Sequence, residues 1–364
     1  MNSQEPQIAQ QRKNDHVKYA LAQQGQLRDS NFEEIRFVHH SFNQVDFSSI
    51  DLSTEWAQQQ HALPFYINGM TGGSQFTKQF NRKLAQVAAA TGLAMASGSV
   101  SAALKDPLVA DSFTVIRQEN PQGFVLANIG AHHGVDNAKR AVDLLKANAL
   151  QIHLNIPQEV VMPEGDRDFT TWSANIEKIV AQVGVPVIVK EVGFGMSKET
   201  IEHLIDLGVQ TVDVSGRGGT NFIKIENERR DQLDFSALAG WGQTTAESLL
   251  EAQPYLQQVE VLASGGIRHY LDIIKALALG ARATGLSGHF LKSVQDQGVQ
   301  ATIAMVDQWQ DSLKHMLLLL GCQNLDQVRQ LQLVLGPTLH HWAQARQLNL
   351  QSFYQAHQYI PFEK

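Results

Sequence analysis

The chain has 364 residues, 43% of them hydrophobic, and a formal net charge of −7. That length supports one large domain with extensions, or two smaller domains, and the absence of a long basic stripe argues against a nucleic-acid surface. A single cysteine, Cys322, excludes an intrachain disulfide, and the most apolar late run, 316–320, is too short to cross a bilayer, so the reading is a cytoplasmic protein with no membrane partner.

Residues 1–62 form an N-terminal extension. Its start, 1–11, is polar and Gln-rich, lacks the apolar core of a signal peptide, and is expected to be disordered. A short alternating segment follows at 35–42. From residue 63, short apolar runs alternate with amphipathic ones. Strands are predicted at 64–68, 93–96, 123–128, 149–154, 185–189, 211–214, 260–263 and 283–286. Helices are predicted at 75–91, 106–117, 135–147, 171–182, 198–207, 245–252 and 270–279. Near-continuous apolar strands separated by helices indicate a parallel sheet. Eight βα units in roughly 240 residues fit an α/β fold of the (β/α)8 TIM-barrel type over 63–295. An open doubly wound sheet is the alternative, but no strand-GxGxxG-helix fingerprint supports it. Residues 296–364, rich in Gln and Leu, are predicted to form a C-terminal helical tail on the barrel's outside or against another subunit.

Ligands of such barrels bind at the C-terminal ends of the strands. The first three ends read Asn68-Gly69-Met70-Thr71-Gly72-Gly73, Ser97-Gly98-Ser99 and Asn128-Ile129-Gly130. The fourth is the richest. His153-Leu154-Asn155-Ile156-Pro157-Gln158-Glu159 delivers an imidazole, two amides and a carboxylate, with Pro157 expected to end regular structure. The fifth end carries Lys190-Glu191. The last three are glycine loops: Ser215-Gly216-Arg217-Gly218-Gly219-Thr220, Ser264-Gly265-Gly266-Ile267-Arg268 and Gly285-Leu286-Ser287-Gly288-His289. One such loop only makes a tight turn. Three in succession, with arginines and hydroxyls, point to a phosphate held by backbone amides. Thr71, Ser99, Asn128 and Lys190 suit the edge of a flat heteroaromatic such as a flavin, whose reduced form a lysine stabilises. The alternative for Lys190 is an ion pair with Glu191; either reading gives a buried lysine the partner it needs.

The Ser264–Arg268 stretch, followed by Asp272 and Lys275-Ala276-Leu277-Ala278-Leu279-Gly280-Ala281, resembles the FMN-phosphate region of several FMN-dependent barrels, 2-hydroxy-acid oxidases among them. Four further pieces narrow the resemblance: Arg12-Lys13-Asn14-Asp15-His16, Met70-Thr71-Gly72-Gly73, His153-Leu154-Asn155 with Gln158-Glu159, and the loop Ser215 to Thr220. Together, in order and spacing, they resemble the type 2 isopentenyl-diphosphate isomerase family. The resemblance runs from about residue 12 to the start of the tail.

It implies an enzyme of isoprenoid biosynthesis that interconverts isopentenyl diphosphate and dimethylallyl diphosphate. Its cofactors would be FMN, Mg²⁺ and NADPH, with reduced FMN supplying the acid–base chemistry. It also implies a homotetramer or larger homo-oligomer. Arg12 and Lys13, with His16 beside them, would bind the substrate diphosphate. Ser99 and Gln158 would also meet substrate, and Glu159 would hold Mg²⁺. His153, Asn155 and Gln158 would form the catalytic pocket, none of them as proton donor. FMN contacts would come from Gly69, Met70, Thr71, Ser99, Asn128, Lys190, Ser215 and Thr220. Gly265, Gly266, Ile267, Ser287 and Gly288 would hold its phosphate, and Arg268 joins them on charge grounds. One departure matters. Many members follow the strand-2 serine with Gln and Arg, whereas this chain has Val100-Ser101. Lys105 or Arg217 must then supply the missing cation.

Competing readings fit less well. A 2-hydroxy-acid oxidase places a catalytic His and Arg after strand 6, and the loop here has no His. A dehydrogenase with a cysteine nucleophile needs a thiol near the strand ends, far from Cys322. A non-enzymatic flavin- or phosphate-binding protein has no use for Lys13, Gln158 and Glu159.

Overall fold

The computed structural model describes residues 5–24, 30–230 and 232–362. Eight parallel strands close into a barrel in chain order: β1 Phe65–Ile67, β2 Met95–Ala96, β3 Val125–Gly130, β4 Ala149–His153, β5 Val187–Lys190, β6 Thr211–Asp213, β7 Glu260–Ser264 and β8 Ala283–Leu286. The closure pairs Thr284 with Phe65 and Leu286 with Ile67. Each strand expected from the sequence is present, its ends moved by no more than two residues.

Strand alternation sorts the side chains into two cores. In β4, Leu150 and Ile152 face the surrounding helices, while Ala149 joins the barrel interior. The lower interior is apolar: Tyr66, Leu126, Ala149, Ile188 and Leu262 fill it. Each fully buried side chain of this size contributes about 1.5–3 kcal/mol. Trp56 closes the base from a hairpin of Thr54–Trp56 and Gln59–His61. It stacks on His61 with ring centroids 4.1 Å apart. Above this apolar plug the interior turns polar, and above that layer lies the open end of the barrel.

The helix Gln75–Thr91 shows why the outer elements begin and end where they do. Ser74 and Thr77 cap each other's backbone amides, and Gly92 ends the helix in the left-handed region at φ 72°. The helix Gly298–Leu320 packs against it and against Tyr270–Ala278, on the barrel's outside. No helix of the described residues is long and apolar enough to cross a membrane.

Three expectations need correction. The Gln-rich start is ordered from Glu5, in a helix Glu5–Gln23. Gln, Ala, Lys and Arg favour helix; among its described side chains Val17 and Ala20 are the buried apolar ones, with Leu21 packed against the core, and the polar residues between them leave no continuous apolar stripe to register. The alternating segment at 35–42 shrinks to a strand Ile35–Phe37, which pairs antiparallel with Leu333–Leu335; the tail is therefore not all helical. Pro157 starts a helix, Ile156–Val161, rather than ending regular structure. Its missing N–H falls in the first turn, where no intrahelical partner exists anyway.

Candidate active site

A cavity of about 390 Å³ opens over the strand ends and is roofed by the N-terminal helix, from which Arg12, Lys13 and His16 reach it, with Gln24 just past the helix end. Every residue singled out from the sequence as a site residue lines this cavity except Thr71. Thr71 lies just beneath the surface, its carbonyl accepting the Gly98 N–H at 3.0 Å. Of the two candidate replacement cations, Lys105 lines the cavity. Arg217 does not; its Nη1 turns to the Gly240 carbonyl.

One side of the cavity is built for an anion. Gly265 and Gly266 both hold positive φ, 89° and 74°. A Cβ on Gly265 would sit 2.0 Å from the Gly216 carbonyl oxygen, so the loop's close approach demands glycine. The helix Gly288–Asp296 begins at the same place. Arg268 brings its guanidinium there with Nε and Nη2 buried and unpartnered among the described residues. Backbone amides, a helix N-terminus and an unsatisfied guanidinium fit a phosphate group.

Lys190 stands at the middle of the floor. Its Nζ donates to the Glu191 carbonyl at 2.6 Å, and not to the Glu191 carboxylate. That carboxylate accepts the N–H groups of Val192, Gly193 and Phe194 instead. Burial lowers the Lys190 pKa from its ordinary range, with Asp213 and Glu191 pulling it back.

The opposite side carries the N-terminal cations and Glu159. Burial and the neighbouring Arg12 bring Lys13 down to about 7, against the pull of Glu226 and Glu159. Glu159 Oε1 accepts from Asn155 Nδ2 at 2.7 Å and Oε2 from the Asp166 N–H at 2.8 Å. No group of three or more His, Cys, Asp or Glu suited to a metal occurs among the described residues. A cation here would rest on Glu159, ligand oxygens and water, which is the habit of Mg²⁺.

Comparison with known proteins agrees with this geometry. The family model of the FMN-dependent dehydrogenases matches residues 117–334. The isopentenyl-diphosphate delta-isomerases of Staphylococcus aureus strains JH9 and Newman are each 51% identical to the chain over 341 residues, covering 94% of this chain and 97% of theirs. The chain belongs to the isopentenyl-diphosphate delta-isomerase family. Among solved structures, a flavocytochrome b2 mutant superposes with a TM-score of 0.64 at 19% identity, covering 91% of this chain and 84% of its own. A mandelate oxidase mutant with benzaldehyde gives 0.59 at 17% identity, covering 90% of this chain and 95% of its own. These likenesses show the shared barrel.

One residue of this isomerase-family site escaped the sequence reading. Glu226, fully buried, accepts hydrogen bonds from His16 Nε2 at 2.8 Å and Gln158 Nε2 at 2.7 Å, and pairs with Arg229. Burial works against its charge, but His16, Gln158 and Arg229 outweigh it and hold the carboxyl at about 2. It joins the roof to the strand-4 loop from a helix, Phe222–Glu228, that was not predicted. The only signal was an acid placed among Ile223 and Ile225 in a stretch otherwise dense in charge.

Proposed function

We propose that the chain catalyses the interconversion of isopentenyl and dimethylallyl diphosphate with bound FMN, Mg²⁺ and NADPH. Family membership supports the activity. The observation that carries the reading is a single cavity with two anion-binding ends: the glycine loops with Arg268 on one side, and Arg12, Lys13 and Lys105 with Glu159 on the other.

The reaction moves a double bond from carbons 3 and 4 to carbons 2 and 3. An unactivated alkene is a poor base, so its protonation needs a positioned acid and a stabilised cationic transition state. When bound and kept reduced by NADPH, FMN supplies that acid–base chemistry. The chain's own residues bind and orient. Arg12 and Lys13 grip the diphosphate, and Lys105 takes the place of the arginine missing after Ser99. Glu159 holds Mg²⁺ against the phosphate oxygens, with His16 and Ser99 alongside. Asn155 and Gln158 orient the five-carbon group, whose position is fixed by binding energy from the diphosphate. Gly69, Met70, Asn128, Lys190, Ser215 and Thr220 would surround the flavin ring, with Thr71 supporting them from beneath, and Gly265, Gly266, Ile267, Arg268, Ser287 and Gly288 would hold its phosphate. Family membership also supports assembly into a homotetramer or larger homo-oligomer.

Isopentenyl diphosphate incubated with the purified protein, FMN, Mg²⁺ and NADPH tests this. Dimethylallyl diphosphate should form while NADPH oxidation stays far below stoichiometric. Failure to bind FMN, or turnover of a 2-hydroxy acid in place of isomerisation, would overturn the reading.

A further inference from the structure

The polar layer inside the barrel is one directional chain of hydrogen bonds. It starts at Asp213 of β6, fully buried, whose Oδ2 accepts from Tyr66 Oη at 2.8 Å, Ser264 Oγ at 2.6 Å and Asn68 Nδ2 at 2.9 Å. A carboxylate only accepts, so Asn68 must present its NH₂ to Asp213. The Gly69 N–H independently pins the other end, donating to Asn68 Oδ1 at 2.8 Å. That same Oδ1 accepts from Gln151 Nε2 at 3.1 Å. With its NH₂ committed, Gln151 turns Oε1 to Asn128, whose Nδ2 donates at 3.0 Å. Asn128 in turn must face His153 with Oδ1, which lies 2.8 Å from His153 Nδ1. An amide oxygen accepts and does not donate, so His153 Nδ1 carries the hydrogen. Asn68, Gln151 and Asn128 are each buried, and each amide's orientation is set by the partners just named, although Asn68 and Asn128 also border the cavity. His153 lines the cavity, and its Nε2 has no partner among the described residues.

We propose that the chain Asp213–Asn68–Gln151–Asn128 fixes His153 as its Nδ1–H tautomer, so that Nε2 meets the bound ligand as a hydrogen-bond acceptor, and that Gln151 is a positioning residue for this role. Burial, with Lys190 next in weight, keeps the ring's pKa well below 6.5 and so favours the neutral form. Gln151 does not reach the cavity, so it acts through its two amide partners, Asn68 and Asn128, and through Asn128 on His153. The catalytic part of this role rests on the proposed isomerase reading; the tautomer itself does not.

Histidine ¹⁵N NMR of the FMN-loaded protein near neutral pH tests it, with the His153 signals identified by their loss in His153→Asn. The wild type should show a protonated Nδ1 and a bare Nε2. Gln151→Met, close in volume, frees Asn128 to turn over and should bring in the Nε2–H form. Adding Asn128→Asp to Gln151→Met should restore Nδ1–H, because a carboxylate accepts from Nδ1 whatever lies behind it. In turnover assays Gln151→Met should lower kcat on the order of 10- to 100-fold with KM little changed. A wild-type Nε2–H or imidazolium form overturns the inference, whether or not any variant folds. So does an unchanged Nδ1–H tautomer in a Gln151→Met protein that is folded by circular dichroism. A wild-type Nδ1–H tautomer in a protein that fails to isomerise would sink the proposed function and leave the tautomer assignment standing.

Discussion

Lys105 makes no ion pair among the described residues, although it stands at the cavity with Glu159 and Asp166 near enough to act on the adjacent His132. A lysine left without a carboxylate partner beside a proposed diphosphate is available to it. Lys105→Ala should therefore raise KM for the diphosphate roughly tenfold, the weight of one charge-assisted contact, and leave kcat nearly unchanged. Steady-state kinetics at fixed Mg²⁺ would show it; an unchanged KM removes Lys105 from the site. Glu159→Gln should behave differently, losing the dependence of rate on Mg²⁺ concentration. Glu159, just past β4, could be read from the sequence, because an abrupt change from apolar to polar marks where a barrel strand opens to ligand, whereas Lys105 came only from the departure at Val100-Ser101. Glu226 could not be read. Its partners His16 and Gln158 lie 210 and 68 residues away, and neither spacing is visible along the chain. Nor could the direction of the amide chain through Gln151, which depends on Asp213 two strands away.

At the scale of elements, the roof differs from the barrel helices in what holds it. The helix Glu5–Gln23 buries Val17 and Ala20. Polar ties supply the rest: His16 to Glu226, Gln23 accepting the Asn221 N–H at 2.8 Å, and Asn14 accepting from Ser74 Oγ at 2.7 Å. A helix that depends on such polar ties separates from the barrel more readily than one packed by a continuous apolar face. Val17→Asp should detach it, weakening diphosphate binding while flavin absorbance persists, since the glycine loops are untouched. Loss of FMN in that variant would show that the roof belongs to the flavin site as well. The barrel strands were readable because each buries a continuous apolar run; the roof was not, because polar ties leave no periodic trace. Pro157 teaches a related lesson: a proline punctuates, and only its neighbours decide whether it closes an element or opens one.

For the molecule as a whole, the plugged base and the roofed mouth respond to acid in the same direction. His61, buried beneath Trp56, is brought down to about 4 by burial, against a small opposing pull from the Trp56 backbone. The unfolded chain takes up that proton at about 6.5, so stability falls as pH drops from about 6.5 to 4. Glu226, held at about 2, adds a loss as pH falls from about 4.5 toward 2. Urea unfolding should give a lower midpoint at pH 5 than at pH 7, and His61→Phe should shrink that difference. An equal difference in the variant would place the acid sensitivity elsewhere. The barrel's order and closure followed from counting apolar runs, whereas the joining of its two extensions did not, because three-residue strands carry too little pattern to declare a partner. That joining sets a schedule. Ile35 pairs with Leu335, far along the chain, so on the ribosome the earlier strand must wait until residues 333–335 have emerged before it can form. The barrel's eight strands are already synthesised by then. The cationic roof, although translated before the barrel, waits for Asn221 and Glu226 before its polar ties can be completed.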